Sequence, residues 1–314
     1  MLSRVANNLY WAGRYIERAE NTARLINVTT YLLLDLPRQT DFDWRPLVEI
    51  NGAEAFFDER YPEGGELDVM RFLILDPLNP TSIRQSLASA RDNLRTTRDI
   101  VPREAWEEIN ELYNFLSGHG NETLPRRRRQ GLLDRVLRCG RMVAGLLDSG
   151  MSRDAAYEFL QLGVNIERAD MTTRIVDVRT EDLLEQARDG LPPFQSLQWL
   201  SMLRSLSGYQ MYRRHVRSRV SGPRVLGFLL QNQAFPRSVR FCVEAAEKRL
   251  ARLPDGAAGI ELCRRTEAIL GEASMASLVE HGLSDFLDHV QRQLIGLHAC
   301  IDATYFGMRV EAEA

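Results

Sequence analysis

Apolar residues recur at helical spacing from the start of the chain. Between positions 5 and 33 they follow alternating steps of four and three, which places them on one face of a single long α-helix. This apolar stripe consists of Val5, Leu9, Ala12, Ile16, Ala19, Ala23, Ile26, Thr30 and Leu33. The helix is expected to end near Leu36–Pro37, because a proline interrupts the hydrogen bonding of a helix interior.

The same periodicity predicts helices along the rest of the chain. They are expected at about 44–60, 66–75, 81–100, 103–117, 126–148, 153–188, 194–219, 224–231, 237–252, 258–271 and 284–309. No stretch alternates apolar and polar residues between hairpin turn signals, so strands are not predicted. The predicted fold class is all-α, a multi-helix bundle.

Two segments 150 positions apart carry nearly the same sequence, GRYIERAENTARLI at 13–26 and GVNIERADMTTRIV at 163–176. The charges repeat along with the apolar pattern. Segment 72–84 likewise matches 228–240, and 133–138 matches 287–292, in the same order. We therefore expect two tandem helical repeats of about 150 residues, 1–150 and 151–314, related by a pseudo-twofold and packed as a single domain over 1–314.

Composition and charge narrow the function classes. The chain of 314 residues is 44% apolar and 26% charged, with a net charge of −3, which is typical of a globular protein and gives no electrostatic reason to bind nucleic acid or an anionic membrane. The N-terminus lacks the apolar core of a signal peptide, and no apolar run approaches the roughly 20 residues of a membrane span. We expect a cytoplasmic protein without a nucleic-acid or membrane partner.

A line of charged residues runs beside the apolar stripe of the first helix. It includes Glu17, Glu20 and Arg24. The second repeat carries Glu167, Asp170 and Arg174 at the same positions. An acid and an arginine four residues apart stabilise each other, whereas Glu17 and Glu20 are like charges that need a cation between them or a proton on one carboxyl.

That cation must come from another helix, from the other repeat or from a ligand, and the duplicated Arg84 and Arg240 are the best candidates within the chain, since each follows a proline at a helix start. Two interpretations stay open. The charges could form an ion-pair network that fixes the register of the two halves, or they could line a pocket for a peptide-like ligand, with arginine holding its carboxylate and glutamate its amine. The ligand-binding candidates are Glu17, Glu20, Arg24, Arg84, Glu167, Asp170, Arg174 and Arg240.

Further arginines are candidates for interactions with other molecules. Arg18 and Arg168 repeat with the motif but lie on another side of the helix, so they need a different partner. The run 126–129 opens a predicted helix and is either a solvated face or a docking site for an acidic partner or an anion. A second cluster around 213–214 lies near tyrosines. The interaction candidates are Arg18, Arg168, Arg126, Arg127, Arg128, Arg129, Arg213 and Arg214.

Common catalytic and cofactor motifs do not occur in the sequence. It contains no GxxxxGK[ST], GxGxxG or GxSxG, so nucleotide binding by this chain alone is not predicted. Glu17 and Glu167 are followed three residues later by acids rather than by histidines, so neither a metal site nor another cofactor is predicted. One catalytic alternative remains, in which Glu17 or Glu167 acts as a general base with a pKa raised by the neighbouring carboxylate.

Several motifs together resemble the bacterial Alpha-E family, a helical family of unsettled function. They are Leu9–Arg24, Asn79–Pro80 with Ser82–Arg84, Ile166–Asp170 and Phe235–Val239. The resemblance covers essentially the whole chain, which makes residues 1–314 a single Alpha-E-like domain. It implies association with atypical ATP-grasp ligases and transglutaminase-like proteins, and a role in making or processing a peptide or amide-linked product.

These observations lead to one expected function and two alternatives. We expect an accessory, non-catalytic protein of an ATP-dependent peptide or amide ligase system, whose Glu/Arg stripes bind a peptide-like substrate or dock the ligase. The first alternative is an enzyme that uses Glu17 or Glu167 as acid or base. The second is a purely structural adaptor.

Overall fold

A computed structural model describes residues 2–35, 43–62, 64–188 and 192–307 of the chain. All secondary structure within these ranges is helical and no strand occurs, which confirms the all-α class. The α-helices are α1 (Ser3–Asp35), α2 (Pro46–Ile50), α3 (Glu54–Arg60), α4 (Glu66–Ile74), α5 (Ile83–Thr96), α6 (Arg103–Thr123), α7 (Arg126–Gly150), α8 (Ala155–Arg188), α9 (Pro192–Ser205), α10 (Tyr209–Val216), α11 (Gly222–Leu226), α12 (Val239–Leu250), α13 (Ala257–Glu272), α14 (Met275–Glu280) and α15 (Leu283–Ile301). Two π-helical turns, Gly227–Gln231 and Asp302–Phe306, continue α11 and α15.

The long helices form two groups of four with the same order of neighbours. In the first group α1 packs on α5, α5 on α6, α6 on α7, and α7 on α1. In the second group α8 packs on α12, α12 on α13, α13 on α15, and α15 on α8. The groups meet along α1 and α8, which share the most extensive packing contact in the molecule. The duplication and its pseudo-twofold stay predictions, but the neighbour order places both repeated motifs at this contact.

The predicted apolar stripe of α1 lies in the core. Leu9, Ala12, Ala19, Ala23 and Ile26 are fully buried. Three small residues among these five let neighbouring helix backbones approach α1 closely. The predicted end of the helix at Leu36–Pro37 lies outside the described residues.

Two predicted helices are each divided in the structure. The helix expected at 44–60 is broken between α2 and α3 at Gly52, whose φ of +64° is left-handed and favours glycine. The helix expected at 194–219 is broken between α9 and α10, where Ser207 has a φ of +54°. In both places a left-handed residue redirects the chain, which apolar periodicity alone does not reveal.

The helices that follow Pro80 and Pro236, α5 and α12, each begin with a serine cap. Ser82 accepts a hydrogen bond from the backbone N–H of Gln85 at 3.1 Å, and Ser238 accepts one from Phe241 at 3.1 Å. Such caps satisfy amides that the first turn of a helix leaves unpaired. They fix where α5 and α12 begin, and thereby the positions of the arginines beside them.

Candidate functional site

Helices α1 and α8 cross at two glycines that hold equivalent positions in the repeated motif. A Cβ atom on Gly13 would lie 2.3 Å from the carbonyl oxygen of Leu160, and one on Gly163 would lie 2.0 Å from that of Tyr10. Carbon–oxygen contacts normally stay above about 3.3 Å, so this crossing requires glycine at both positions. The close approach brings the Glu-Arg pair one turn further along each helix within reach of the other helix.

The two Glu-Arg pairs exchange partners across the crossing. Arg18 donates through Nε and Nη2 to the two carboxylate oxygens of Glu167, at 2.6 and 3.0 Å. Arg168 donates through Nε to Glu17 at 2.9 Å. Arg14 adds a third donor to Glu167, at 2.7 Å. Arg18 and Arg168 were expected to need a partner other than the acids of their own helix, and their long side chains reach the carboxylate of the facing helix.

The cation that Glu17 and Glu20 require is Arg237, which lies just before α12. It donates to Glu17 and, through Nη2, to Glu20 at 3.3 Å, and it also reaches Asn21 Oδ1 at 2.8 Å. The hydroxyl of Thr172 on α8 donates to the backbone carbonyl of Arg237 at 2.9 Å. The second four-helix group therefore supplies both the arginine and the contact that holds it in place.

The flank formed by Glu20 and Arg24 is closed. Arg24 donates to Glu20 and, at 2.8 Å, to Asn21 Oδ1. A Cβ atom on Gly140 of α7 would lie 2.9 Å from a carboxylate oxygen of Glu20, so α7 covers this pair directly. Burial and the charge of Arg237 lower the pKa of Arg24 to about 10, and its Nε lacks a hydrogen-bond partner. This part of the stripe is inaccessible to a ligand.

Both central carboxylates are ionised although they are almost completely buried. Glu17 is 3% exposed and Glu167 is 1% exposed. Burial opposes ionisation of Glu17, but the charges of Arg168, Arg237 and Arg24 outweigh it and lower its pKa to about 2. The pKa of Glu167 is also lowered, because Arg18 and Arg14 outweigh its burial. The hypothesis of a glutamate with a raised pKa is therefore wrong for this arrangement.

The corresponding flank on α8 borders a small cavity. Arg174 donates to Asp170 at 3.1 Å, and both side chains line a space of about 90 Å³ together with Arg14 and His298. Ligand pockets usually measure about 300–1,000 Å³, and a water molecule occupies about 30 Å³. This cavity suits a few waters rather than a peptide-like ligand, so the geometry favours the network over the pocket.

A sequence model of one family matches residues 1–306 of the chain. The family, Alpha-E, is described as a predicted α-helical domain with a conserved ER motif. The chain belongs to the Alpha-E family. The Ile-Glu-Arg-Ala sequence that occurs twice, at 16–19 and 166–169, contains the Glu-Arg pairs that meet across α1 and α8.

Relatives of this Alpha-E domain include uncharacterized proteins of Mycobacterium bovis and of two Mycobacterium tuberculosis strains. Each is 23% identical to the chain over 282 residues, which covers 80% of this chain and 30% of the relative. The chain thus spans less than a third of the length of the curated relatives it matches. No solved structure matches the chain.

Arg84 and Arg240 of the Alpha-E domain do not reach Glu17 or Glu20. Arg240 pairs with Glu244 of its own helix at 3.0 Å, and Arg84 lines a surface pocket next to α4 and α6. The expectation that they supply the cation is wrong. Arg240 lies in the first turn of α12, after Arg237, and Arg84 lies in the first turn of α5.

The run of four arginines divides between the surface and the core of the domain. Arg129 is 1% exposed, donates to Glu66 at 2.7 Å and lies over the ring of Trp44. Arg126 also binds Glu66. Arg127 and Arg128 are exposed and remain available to a partner. A helix that begins with four arginines must turn one of them inward, and here the partly exposed Glu66 pairs with it.

The second basic cluster lies on α10. Arg213 and Arg214 are exposed, and the guanidinium of Arg213 lies 5.9 Å from the centre of the Tyr209 ring. The neighbouring Tyr212 is buried, so the aromatic residues here do not form an open stacking surface. Both arginines remain accessible interaction candidates.

Arg14 and Arg237 belong to the network but were not among the sequence candidates. Neither repeats in the other half, where the equivalent positions hold Val164 and Thr81. A search based on repetition therefore overlooks them. For Arg237, the available signal was an arginine beside Pro236 at a helix start, together with two like-charged glutamates that need a cation.

Two other findings concern what the described part of the domain lacks. No helix within it has a stretch long and apolar enough to cross a bilayer. The same residues contain no group of three or more histidine, cysteine or acidic side chains placed to hold a metal ion.

Proposed function

We propose that this Alpha-E domain is a non-catalytic, cytoplasmic accessory component of an ATP-dependent ligase system that forms peptide or amide bonds. The resemblance of its motifs to the Alpha-E family supports a partnership with an atypical ATP-grasp ligase and a transglutaminase-like protein. In this proposal the Glu/Arg stripes hold the two four-helix groups in one arrangement. The surface that they support contacts the ligase.

The observation that carries the proposal is the saturation of both central carboxylates by arginines. A general base needs a pKa near the working pH and access to the proton it removes. Glu17 and Glu167 have lowered pKa values and are buried. These properties fit a buried ion-pair network between helices and do not fit proton transfer to a substrate.

The length of the mycobacterial relatives gives further support. The matched segment makes up 30% of each relative, so the domain there is one part of a longer polypeptide. In those relatives the domain is covalently joined to further segments, as expected of a domain that works together with other domains. This supports an accessory role over an isolated activity.

Docking must use the surface, because the stripes are enclosed. Arg127 and Arg128 at the start of α7, and the Arg213–Arg214 pair on α10, are the exposed candidates from the sequence. Exposed guanidiniums form bidentate hydrogen bonds with carboxylates, which suits an acidic patch on a partner.

Co-purification with an atypical ATP-grasp ligase from the same organism tests the proposal, together with ligase turnover measured with and without the chain. We expect a complex and faster ligation, and we expect the charge reversal of Arg127 and Arg128 to glutamate to weaken both. Arg98→Glu is the control, since Arg98 is also exposed but lies after α5. No complex and unchanged turnover would contradict the accessory role.

The saturated network also favours a second candidate, a purely structural adaptor. An adaptor predicts that Glu17→Gln and Arg24→Met lower stability and function in parallel. An accessory that acts on the ligase predicts a surface variant that folds normally and nevertheless lowers turnover. The Arg127→Glu variant distinguishes the two.

A further inference from the structure

A pocket opens on the surface of the first four-helix group, among α3, α4, α5 and α6. Its volume is about 520 Å³, within the usual range of about 300–1,000 Å³ for small-molecule sites. Its walls include Arg60, Tyr61, Arg71, Arg84 and His119. None of its lining residues belongs to the Glu/Arg network between α1 and α8, so the pocket is a separate feature.

The acid in the wall of this pocket is already occupied. Asp76 has a side chain that is only 1% exposed. It accepts hydrogen bonds from Arg60 at 3.2 Å, from the hydroxyl of Tyr61 at 3.1 Å and from the backbone N–H of Leu78 at 2.9 Å. Asp76 therefore has little capacity left for a cationic ligand, and it fixes two side chains of the wall.

Arg71 and Arg84 provide positive charge that the described residues do not neutralise. Neither forms an ion pair with an acid in the described ranges, and Glu122 at the rim is largely exposed and lies 4.0 Å from Arg128. The equivalent arginine of the second half differs in its partner. Arg240, the counterpart of Arg84, is neutralised by Glu244 one turn later, whereas the position one turn after Arg84 holds Ala88.

Part of the pocket wall, the Arg60 side chain and the backbone that carries Arg84, is held in place before any ligand binds. The guanidinium of Arg60 lies 5.3 Å from the centre of the Phe56 ring as well as against Asp76. The Ser82 cap fixes the first turn of α5, which carries Arg84. Side chains that are already ordered lose less conformational entropy on binding.

We propose that this pocket binds the oxyanion of a small ligand, a carboxylate or a phosphate, between Arg71 and Arg84, with Arg60 as the third positive group of the wall. Guanidinium groups recognise both anions through charge-assisted and often bidentate hydrogen bonds. The inference does not depend on a ligase partner, since it rests on the pocket and its charges alone.

Titration calorimetry with two probes, inorganic phosphate and succinate, tests the site on the full chain at constant low ionic strength. We expect saturable binding of at least one probe. Replacing one clamping arginine should weaken it about tenfold or more, since a hydrogen bond to a charged group is lost. The variants are Arg71→Gln and Arg84→Gln, and the matched control is Arg240→Gln, which lies outside the pocket.

The outcomes are distinct. Binding of phosphate or of succinate that both pocket variants weaken and the control leaves unchanged supports the site, and the probe that binds more tightly identifies the anion class. Absence of saturable binding for both probes overturns the proposal. Binding that the control variant weakens as much as the pocket variants do also overturns it. Circular dichroism of each variant confirms that it is folded before titration.

Discussion

Replacing Glu17 by glutamine removes one buried charge from the network while keeping the shape of the side chain. Burial and three arginines set the pKa of Glu17 in the folded protein to about 2, against 4.5 for an ordinary glutamate. That difference of about 2.5 corresponds to about 3 kcal/mol of folding stability at neutral pH, since each unit is worth about 1.4 kcal/mol. Removing one partner of a buried ion pair typically costs about 3–5 kcal/mol, which agrees.

The sign of the pH dependence follows from the lowered pKa. The contribution of Glu17 is fully present above the unfolded-state pKa of 4.5 and is lost as the pH falls toward 2. Urea unfolding at pH 7 should therefore give a free energy of unfolding about 3 kcal/mol lower for Glu17→Gln than for the unchanged protein. At pH 3 the gap between the two proteins should shrink to less than half of its value at pH 7.

A surface variant provides the control. Glu261 pairs with Arg265 on an exposed face of α13. Exposed pairs contribute only about 0–1 kcal/mol, so Glu261→Gln should change stability little at either pH. The reasoning would be refuted if Glu17→Gln cost less than about 1 kcal/mol at pH 7, or if the gap between it and the unchanged protein did not narrow in acid.

Other consequences of the structure can be measured in the same way. Gly163→Ala should lower the free energy of unfolding in urea by about 1–3 kcal/mol or more, since the added Cβ would strike the backbone of α1. The control is Gly131→Ala, which has open space around it and should stabilise α7 by up to about 1 kcal/mol. Ser238→Ala should cost about 1 kcal/mol by removing the cap of α12, and a melting temperature equal to that of the unchanged protein would contradict this. Burial raises the pKa of the Cys139, Cys242 and Cys263 thiols to about 12, so a thiol reagent at pH 7 should modify these three only after denaturation. In the native protein the reagent should modify Cys300 first, because it is the least buried of the four cysteines.

The sequence was sufficient to predict the helical class and the place where charge matters. The stripe of α1 and its repeated Glu-Arg pair both lie at the α1–α8 contact, because apolar spacing and helical geometry together determine which residues share a face. The need for a cation beside Glu17 and Glu20 was also correctly inferred, since like charges at that spacing repel.

The identity of the cation could not be inferred from repetition. Arg237 reaches the network because the loop before α12 folds back onto α8, where Thr172 holds it, and this contact joins residues distant in sequence. The C-terminal part of α6 was missed for a related reason. The helix predicted over 103–117 continues to Thr123, because Leu116 and Gly120 are buried and Gly120 packs against Leu75.

The exchange of arginines between α1 and α8 has a consequence for chains that carry only one half of this domain. The α1 surface presents Glu17 and Arg18, and the facing α8 surface presents Arg168 and Glu167 in return. Each surface thus carries the donor and the acceptor that the other one needs, a reciprocity that also marks the isologous contacts of symmetric dimers. A fragment with the first half alone would lack Glu167, Arg168 and Arg237 together, so Arg18 and Glu17 would both lose the partners they have here.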